Sequence, residues 1–324
     1  MNTKNNAYNY TGDRPITEEK DDKLGFSALA DQIALSLTQA KIEDGFVVGI
    51  EGEWGSGKSS LINLIKNKIE KEQDIIIVDF KPWLVGNRDI LIDALFCEFV
   101  TALKEYFPYN EIAKNFKSFI KAAEDGFPKI KLLTVTKYPV NLITFFLKKI
   151  NAISYSACID IIIEFLYSIT SEKSLSNLKN QLTTIFQDIG RRIIVVIDDL
   201  DRLDPSEAIE VLRLVRSVAD FPNVTYVLSY DRNILCKAIE EQIKIDSGQS
   251  YLEKIIQLTI PLFLPNFSDL LSWFKDELYS LVPRLPSYQK LSIDISLASE
   301  GWHRVKTPRV LIKILDSIRF IYLM

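Results

Sequence analysis

The chain has 324 residues, of which 47% are apolar and 25% charged, with 12 glycines and 12 prolines. That composition excludes disordered, collagenous and low-complexity classes, and the length, about twice a usual domain of roughly 150 residues, leads us to expect one large core or a core with a smaller lobe. Thirty-nine basic residues against 43 acidic ones leave a net charge of −4, so the chain lacks the overall basic field that draws proteins onto nucleic acid.

The first twenty residues are polar, without the apolar core that a secretory signal needs. Residues 24–37 (LGFSALADQIALSL) carry apolar side chains at helical spacing. At 46–50 (FVVGI) the pattern changes to a β-branched run, followed by a glycine-rich loop, and 60–69 (SLINLIKNKI) returns to a helical period. Further strands are expected at 75–80 (IIIVDF), 193–197 (IIVVI), 224–228 (VTYVL) and 255–260 (IIQLTI). Such continuous Ile and Val runs belong to strands covered on both faces, the habit of parallel sheets in α/β proteins. Residues 205–218 (PSEAIEVLRLVRSV) form a helix with Pro205 at its first position, Asp204 as cap and arginines late. Residues 270–281 and 308–323 read as helices without intervening strands. The expected organisation is therefore a core over 1–265, an insert at about 102–185 and a helical lid lobe over 266–324. The last residues, RFIYLM, lie inside an apolar periodic stretch without a capping signal, as in a fragment of a longer protein.

Cys97, Cys158 and Cys236 are widely spaced and odd in number, which fits reduced, buried thiols in a cytoplasmic setting. His303 stands alone, so neither a histidine-dependent triad nor a histidine-ligated metal site is available.

Chemistry concentrates at Gly52-Glu-Trp54-Gly55-Ser56-Gly57-Lys58-Ser59-Ser60, which satisfies G-x-x-x-x-G-K-[ST] between a predicted strand and a predicted helix. Glycines there let backbone N–H groups surround phosphates, and the helix N-terminus adds about half a positive charge. Lys58 then reaches the β and γ phosphates of a nucleotide, and the Ser59 hydroxyl is a Mg2+ ligand. The strand at 193–197 ends in Asp198 and Asp199. Asp198 is read as the Mg2+ carboxylate acting through water, and Asp199 as the group that polarises the attacking water. A guanine-reading N-K-x-D in a position to face a base is missing, which favours ATP over GTP. Ser247-Gly248-Gln249 is read as a turn. Arg202, Arg232 and Arg309 are candidates to sense the γ phosphate, with Arg309, on a lid helix, the preferred one.

The segments 52–60, 80–83 (FKPW), 193–214, 220–224 (DFPNV), 226–232 (YVLSYDR), 251–254 (YLEK) and 307–309 (TPR), with Asp13-Arg-Pro15 and Leu24-Gly-Phe26 in the leader, together resemble the KAP family of P-loop NTPases. The resemblance covers most of the chain outside about 102–185. It implies a P-loop three-layer α/β sandwich with a mainly parallel sheet, in an ATPase class related to the STAND and AAA+ groups where hydrolysis resets a conformational or assembly state. It also implies an association with phage defence or the inner membrane among bacterial members, and with membrane scaffolds of signalling among animal ones. In many related ATPases the position of Asp199 is Glu, one methylene longer.

Lys58 and Asp198 are 140 positions apart, far more than one or two βα units need. The insert's apolar stretch, 138–169, contains Asp160 and Glu164. An acid near a bilayer centre costs on the order of 3 kcal/mol, which argues against a span. Residues 104–149 hold nine lysines and four acids, a local +5 that leaves −9 for the rest of the chain. Three readings stand: a soluble helical insert, a peripheral membrane or partner contact, and a true span. Functionally the sequence favours an ATP-hydrolysing switch, working as a homo-oligomer or with a partner protein, over a non-hydrolysing ATP-gated scaffold or a component of a nucleic-acid-acting complex.

Overall fold

Alternation within each strand decides the layers. In the strand Arg192–Ile197, Val195 packs into one apolar cluster while Ile194 and Val196 pack into another, because successive side chains of a pleated strand point to opposite faces. The computed structural model describes residues 12–39, 45–72, 74–84, 191–218, 221–282, 285–299 and 305–323, with Leu91, Ala94, Leu95, Glu98 and Ala102 between them. The insert beyond residue 102, Cys97, Cys158 and His303 lie outside the described residues.

Five strands form one parallel sheet: β1 (Phe46–Glu51), β2 (Ile75–Phe80), β3 (Arg192–Ile197), β4 (Val224–Tyr230) and β5 (Leu258–Pro261), in the order β2-β3-β4-β1-β5. Every residue of the central strand β4 is buried. Helices α1 (Phe26–Gln39) and α2 (Lys58–Ile69) cover one face through Ala30, Ile33, Leu37, Leu61, Leu64 and Ile65. The other face is covered by α3 (Pro205–Val218), α4 (Arg232–Ile243) and α5 (Gly248–Leu252), through Leu212, Val215, Leu235, Ile239 and Leu252. Burying each of these aliphatic side chains is worth about 1.5–3 kcal/mol. Helices on both faces of a parallel sheet make the three-layer α/β fold expected from the Ile and Val runs.

Helices α6 (Phe267–Leu281), α7 (Ser287–Ser299) and α8 (Pro308–Leu323) follow β5. They have their own cluster, in which Leu270, Phe274 and Leu278 meet Leu311 and Leu315. Among the described residues no helix is long and apolar enough to cross a membrane.

Two local readings are corrected. The fifth strand starts at Leu258 rather than at 255, because the N–H groups of Ile255 and Ile256 both donate to the Leu252 carbonyl as the chain leaves α5. Ile255 and Ile256 are therefore core residues of a turn, and β5 itself is a short, largely exposed edge strand. Ser247-Gly248-Gln249 opens a helix: the Ser247 hydroxyl accepts from the Ser250 N–H and caps α5.

Candidate functional site

Between β1 and α2 the chain turns through 52–57, and two of its glycines are forced. Gly55 has φ 84° and Gly57 φ 106°, in the region that a Cβ makes costly. A Cβ on Gly57 would lie 2.5 Å from Cε2 of Phe26, the first residue of α1, and one on Gly55 would lie 3.0 Å from the Arg309 Cβ. The loop is pinned from outside as well. The Gly52 N–H donates to the Tyr230 carbonyl at 3.1 Å, and the Trp54 N–H donates to Asp231 Oδ2 at 3.1 Å. Asp231 Oδ1 in turn accepts from the Asn233 and Ile234 N–H groups, capping α4. Lys58 lies buried across the loop, donating to the carbonyls of Gly52 at 2.8 Å and Glu53 at 3.4 Å.

Ser59 is half-buried in the first turn of α2. Ser56 is fully buried, with no partner for its hydroxyl among the described residues. The Ser60 hydroxyl is taken: it accepts the Ile16 N–H at 3.2 Å, while Asn63 donates to the Ile16 carbonyl at 3.0 Å. The leader thus runs along α2, and it also reaches α8, where the Gly12 N–H donates to Asp316 Oδ2 at 3.1 Å.

Beyond β3 the acids crowd together. Asp198 Oδ1 accepts from the Asp199 N–H at 2.9 Å and from the Ser229 hydroxyl, which itself accepts from the Asp199 N–H at 3.0 Å. Asp199 has φ 59°, left-handed for a non-glycine residue, and its carboxylate meets Arg202 Nη2 at 3.0 Å. Burial first, and then the charge of Asp198, push the Asp199 carboxyl up to about 6. Asp201, in the short 3-10 turn Leu200–Arg202, points its Oδ2 at Lys58 Nζ across 3.9 Å.

Of the three candidate arginines, Arg202 pairs with Asp199 and Arg232 pairs with Glu51 at 3.4 Å. Arg309 lies on the phosphate loop itself. Its guanidinium carbon is 4.7 Å from the centroid of the Trp54 ring, and its Nε donates to Asp13 Oδ1 at 2.7 Å.

Five buried side-chain polar atoms have no hydrogen-bond partner among the described residues, and Ser56 Oγ, Asp201 Oδ1 and Arg309 Nη1 belong to this region. Buried polar groups are otherwise nearly always paired, so the spare donors of Ser56 and Arg309 beside a glycine cradle fit a polar, anionic ligand, while the spare oxygen of Asp201 fits a donor or a cation. Ser59 and Asp198 supply the hard oxygen donors that Mg2+ takes. Sequence reasoning missed Asp201, Ser229 and Asp231. The D-D-x-D spacing at 198–201 was a usable signal for Asp201. Ser229 and Asp231 stood in the sequence only as part of the 226–232 segment, and their contacts give them roles: the Ser229 hydroxyl with Asp198, and the Asp231 carboxylate with the Trp54 N–H.

The profile of the KAP family P-loop domain matches residues 26–322. The Phage T7 exclusion protein of Escherichia coli (strain K12) is 31% identical over 329 residues, covering 96% of this chain and 43% of that protein. The chain thus spans less than half the length of that relative. Among solved structures, the Aeropyrum pernix ORC1 protein in complex with DNA aligns over 94% of this chain and 60% of its own, at 12% identity and a TM-score of 0.41. Cdc6p from Pyrobaculum aerophilum aligns over 83% and 53%, at 11% identity and a TM-score of 0.40. With a family profile running from α1 to the end of α8 over a phosphate loop of this geometry, the chain belongs to the KAP family of P-loop domains.

Proposed function

We propose that this chain binds ATP with Mg2+ and hydrolyses it, and that the cycle moves the helical lobe over 266–324 against the core. The observation that carries this reading is Arg309, a residue of α8, lying on Trp54 and Gly55 of the phosphate loop. A cation brought to the loop by the lobe gives nucleotide state a physical route to lobe position. In this reading the loop N–H groups and Lys58 hold the phosphates, while Ser59 and Asp198 hold Mg2+. The metal, when bound, neutralises charge on the phosphate oxygens. Asp199 accepts the hydrogen bond of the attacking water and orients it, which requires its carboxylate to be ionised. Arg309 turns from Asp13 toward the charge that develops on the γ phosphate.

The relative that carries a phage exclusion name supports a role in phage defence, and in this reading the cycle acts on a partner protein or on further copies of the chain. A second reading, an ATP-gated scaffold with little turnover, is favoured by the Asp199–Arg202 ion pair, which occupies the water-orienting carboxylate.

Equilibrium binding of ATP and GTP in Mg2+ to the purified chain and to Lys58→Ala tests the binding step. ATP bound more tightly than GTP, with affinity reduced at least about 100-fold in the variant, supports the reading. Equal binding by the parent chain and Lys58→Ala contradicts it.

A further inference from the structure

Among the described residues the acid turn holds one carboxylate more than its neighbours' cations match. Asp198 is held by Ser229 and by the Asp199 N–H, and Asp199 is held by Arg202. Asp201 is different. Its side chain is 2% exposed, its Oδ2 faces Lys58 at 3.9 Å, and its Oδ1 has no hydrogen-bond partner among the described residues. Among the described residues three carboxylates therefore share two cations, Lys58 and Arg202, with Asp201 set against the lysine that the phosphates need.

Two consequences follow from elementary electrostatics. Asp201 opposes the Lys58 charge before a nucleotide arrives, so a bare polyphosphate reaching Lys58 also meets the carboxylates of the acid turn. A divalent cation entering with the polyphosphate offsets those carboxylates, and a donor from its hydration shell would satisfy the spare oxygen of Asp201.

We infer that Asp201 is a specificity-determining residue that makes nucleotide binding conditional on the divalent cation, admitting Mg2+–ATP and discriminating against free ATP. The inference rests on the reading of 52–60 as the nucleotide site and assigns to Asp201 a role in that site's selectivity.

The test is equilibrium binding of ATP to the full chain in excess Mg2+ and in EDTA, repeated with Asp201→Asn and Asp201→Ser. Asp246→Asn, an exposed acid in the turn before α5, serves as the control for net charge. In the parent and in Asp246→Asn, Mg2+ should tighten binding at least about ten-fold. In Asp201→Asn, metal-free binding should strengthen about ten-fold while binding in Mg2+ changes by less than about three-fold, collapsing the ratio. A purely structural role would lower both affinities together and leave the ratio intact, which would overturn the inference. Asp201→Ser, also neutral but smaller, gives the same readout if the Asn variant does not fold. A parent chain that binds ATP equally well in Mg2+ and EDTA overturns the inference while leaving the nucleotide site in place. A parent that binds ATP in neither condition overturns both.

Discussion

The phosphate loop and the acid turn approach within 3.9 Å of each other, at Lys58 and Asp201, yet they take their shapes from different sources. The loop is shaped mostly by its own residues: two glycines of positive φ carry the reversal, and Lys58 folds back onto the carbonyls of Gly52 and Glu53. The acid turn is shaped from elsewhere. Ser229, thirty residues later on β4, holds Asp198 and the Asp199 N–H, and burial, the neighbouring charges of 198–202 and the distant charge of Lys58 set the state of Asp199. Damage to the loop should therefore appear first as a folding defect, and damage to the turn as a chemical one.

The largest effect should come from Gly57→Val. A β-branched side chain at φ 106°, with its Cβ driven into the Phe26 ring, should cost about 3 kcal/mol or more in denaturant unfolding. Adding Phe26→Ala should relieve the clash but leave the backbone share of the loss. Full recovery in the double variant would show that the loop's conformation is not intrinsic.

Ser229→Ala should cost less in folding and more in chemistry. Removing the hydroxyl leaves the Asp198 carboxylate and the Asp199 N–H each one partner short, about 1–3 kcal/mol in unfolding free energy. Phosphate release should fall more steeply than ATP binding. Equal loss in both would make Ser229 a packing residue only.

Asp199 offers a test through pH. Its carboxyl rises from 3.8 to about 6 on folding, so between those values the folded state binds more protons than the unfolded one, and stability falls as pH rises through the window. Asp199→Asn removes that penalty. The variant should be more stable than the parent by about 1–2 kcal/mol at pH 7.5, with the difference fading toward pH 4, as read by urea unfolding at both pH values. A constant difference across the range would locate the effect in packing.

The smallest effect should be that of Arg309→Lys, which keeps the charge and loses the flat guanidinium over Trp54. About 0.5–1 kcal/mol of stability should be lost, together with a change in tryptophan emission, since Trp54 is exposed while its partner is anchored through Asp13.

The same contrast explains what the sequence could reveal. Continuous Ile and Val runs marked β1 to β4, and G-x-x-x-x-G-K-S marked the loop, because strand burial and loop reversal are written in adjacent residues. The start of β5 was misplaced because Ile255 and Ile256 are as apolar as a strand, and only the carbonyl of Leu252, accepting both their N–H groups, turns them away from the sheet. Asp198 and Asp199 were legible as the end of a buried strand. For Asp201 the D-D-x-D spacing was the one signal, and its partner, a lysine 143 positions earlier in the chain, became visible only in the fold. Asp13 stood out only as part of a leader pattern, and its ion pair with Arg309 spans almost the whole chain.

The most direct test is phosphate release from Mg2+–ATP by the parent chain and by Asp199→Asn, with ATP binding measured on the same samples. Turnover by the parent, a loss of at least about 100-fold in the variant and an ATP Kd nearly unchanged would establish the acid turn as the hydrolytic half of the site. Turnover that survives in Asp199→Asn, or a parent that binds ATP and releases no phosphate, would contradict hydrolysis by this carboxylate.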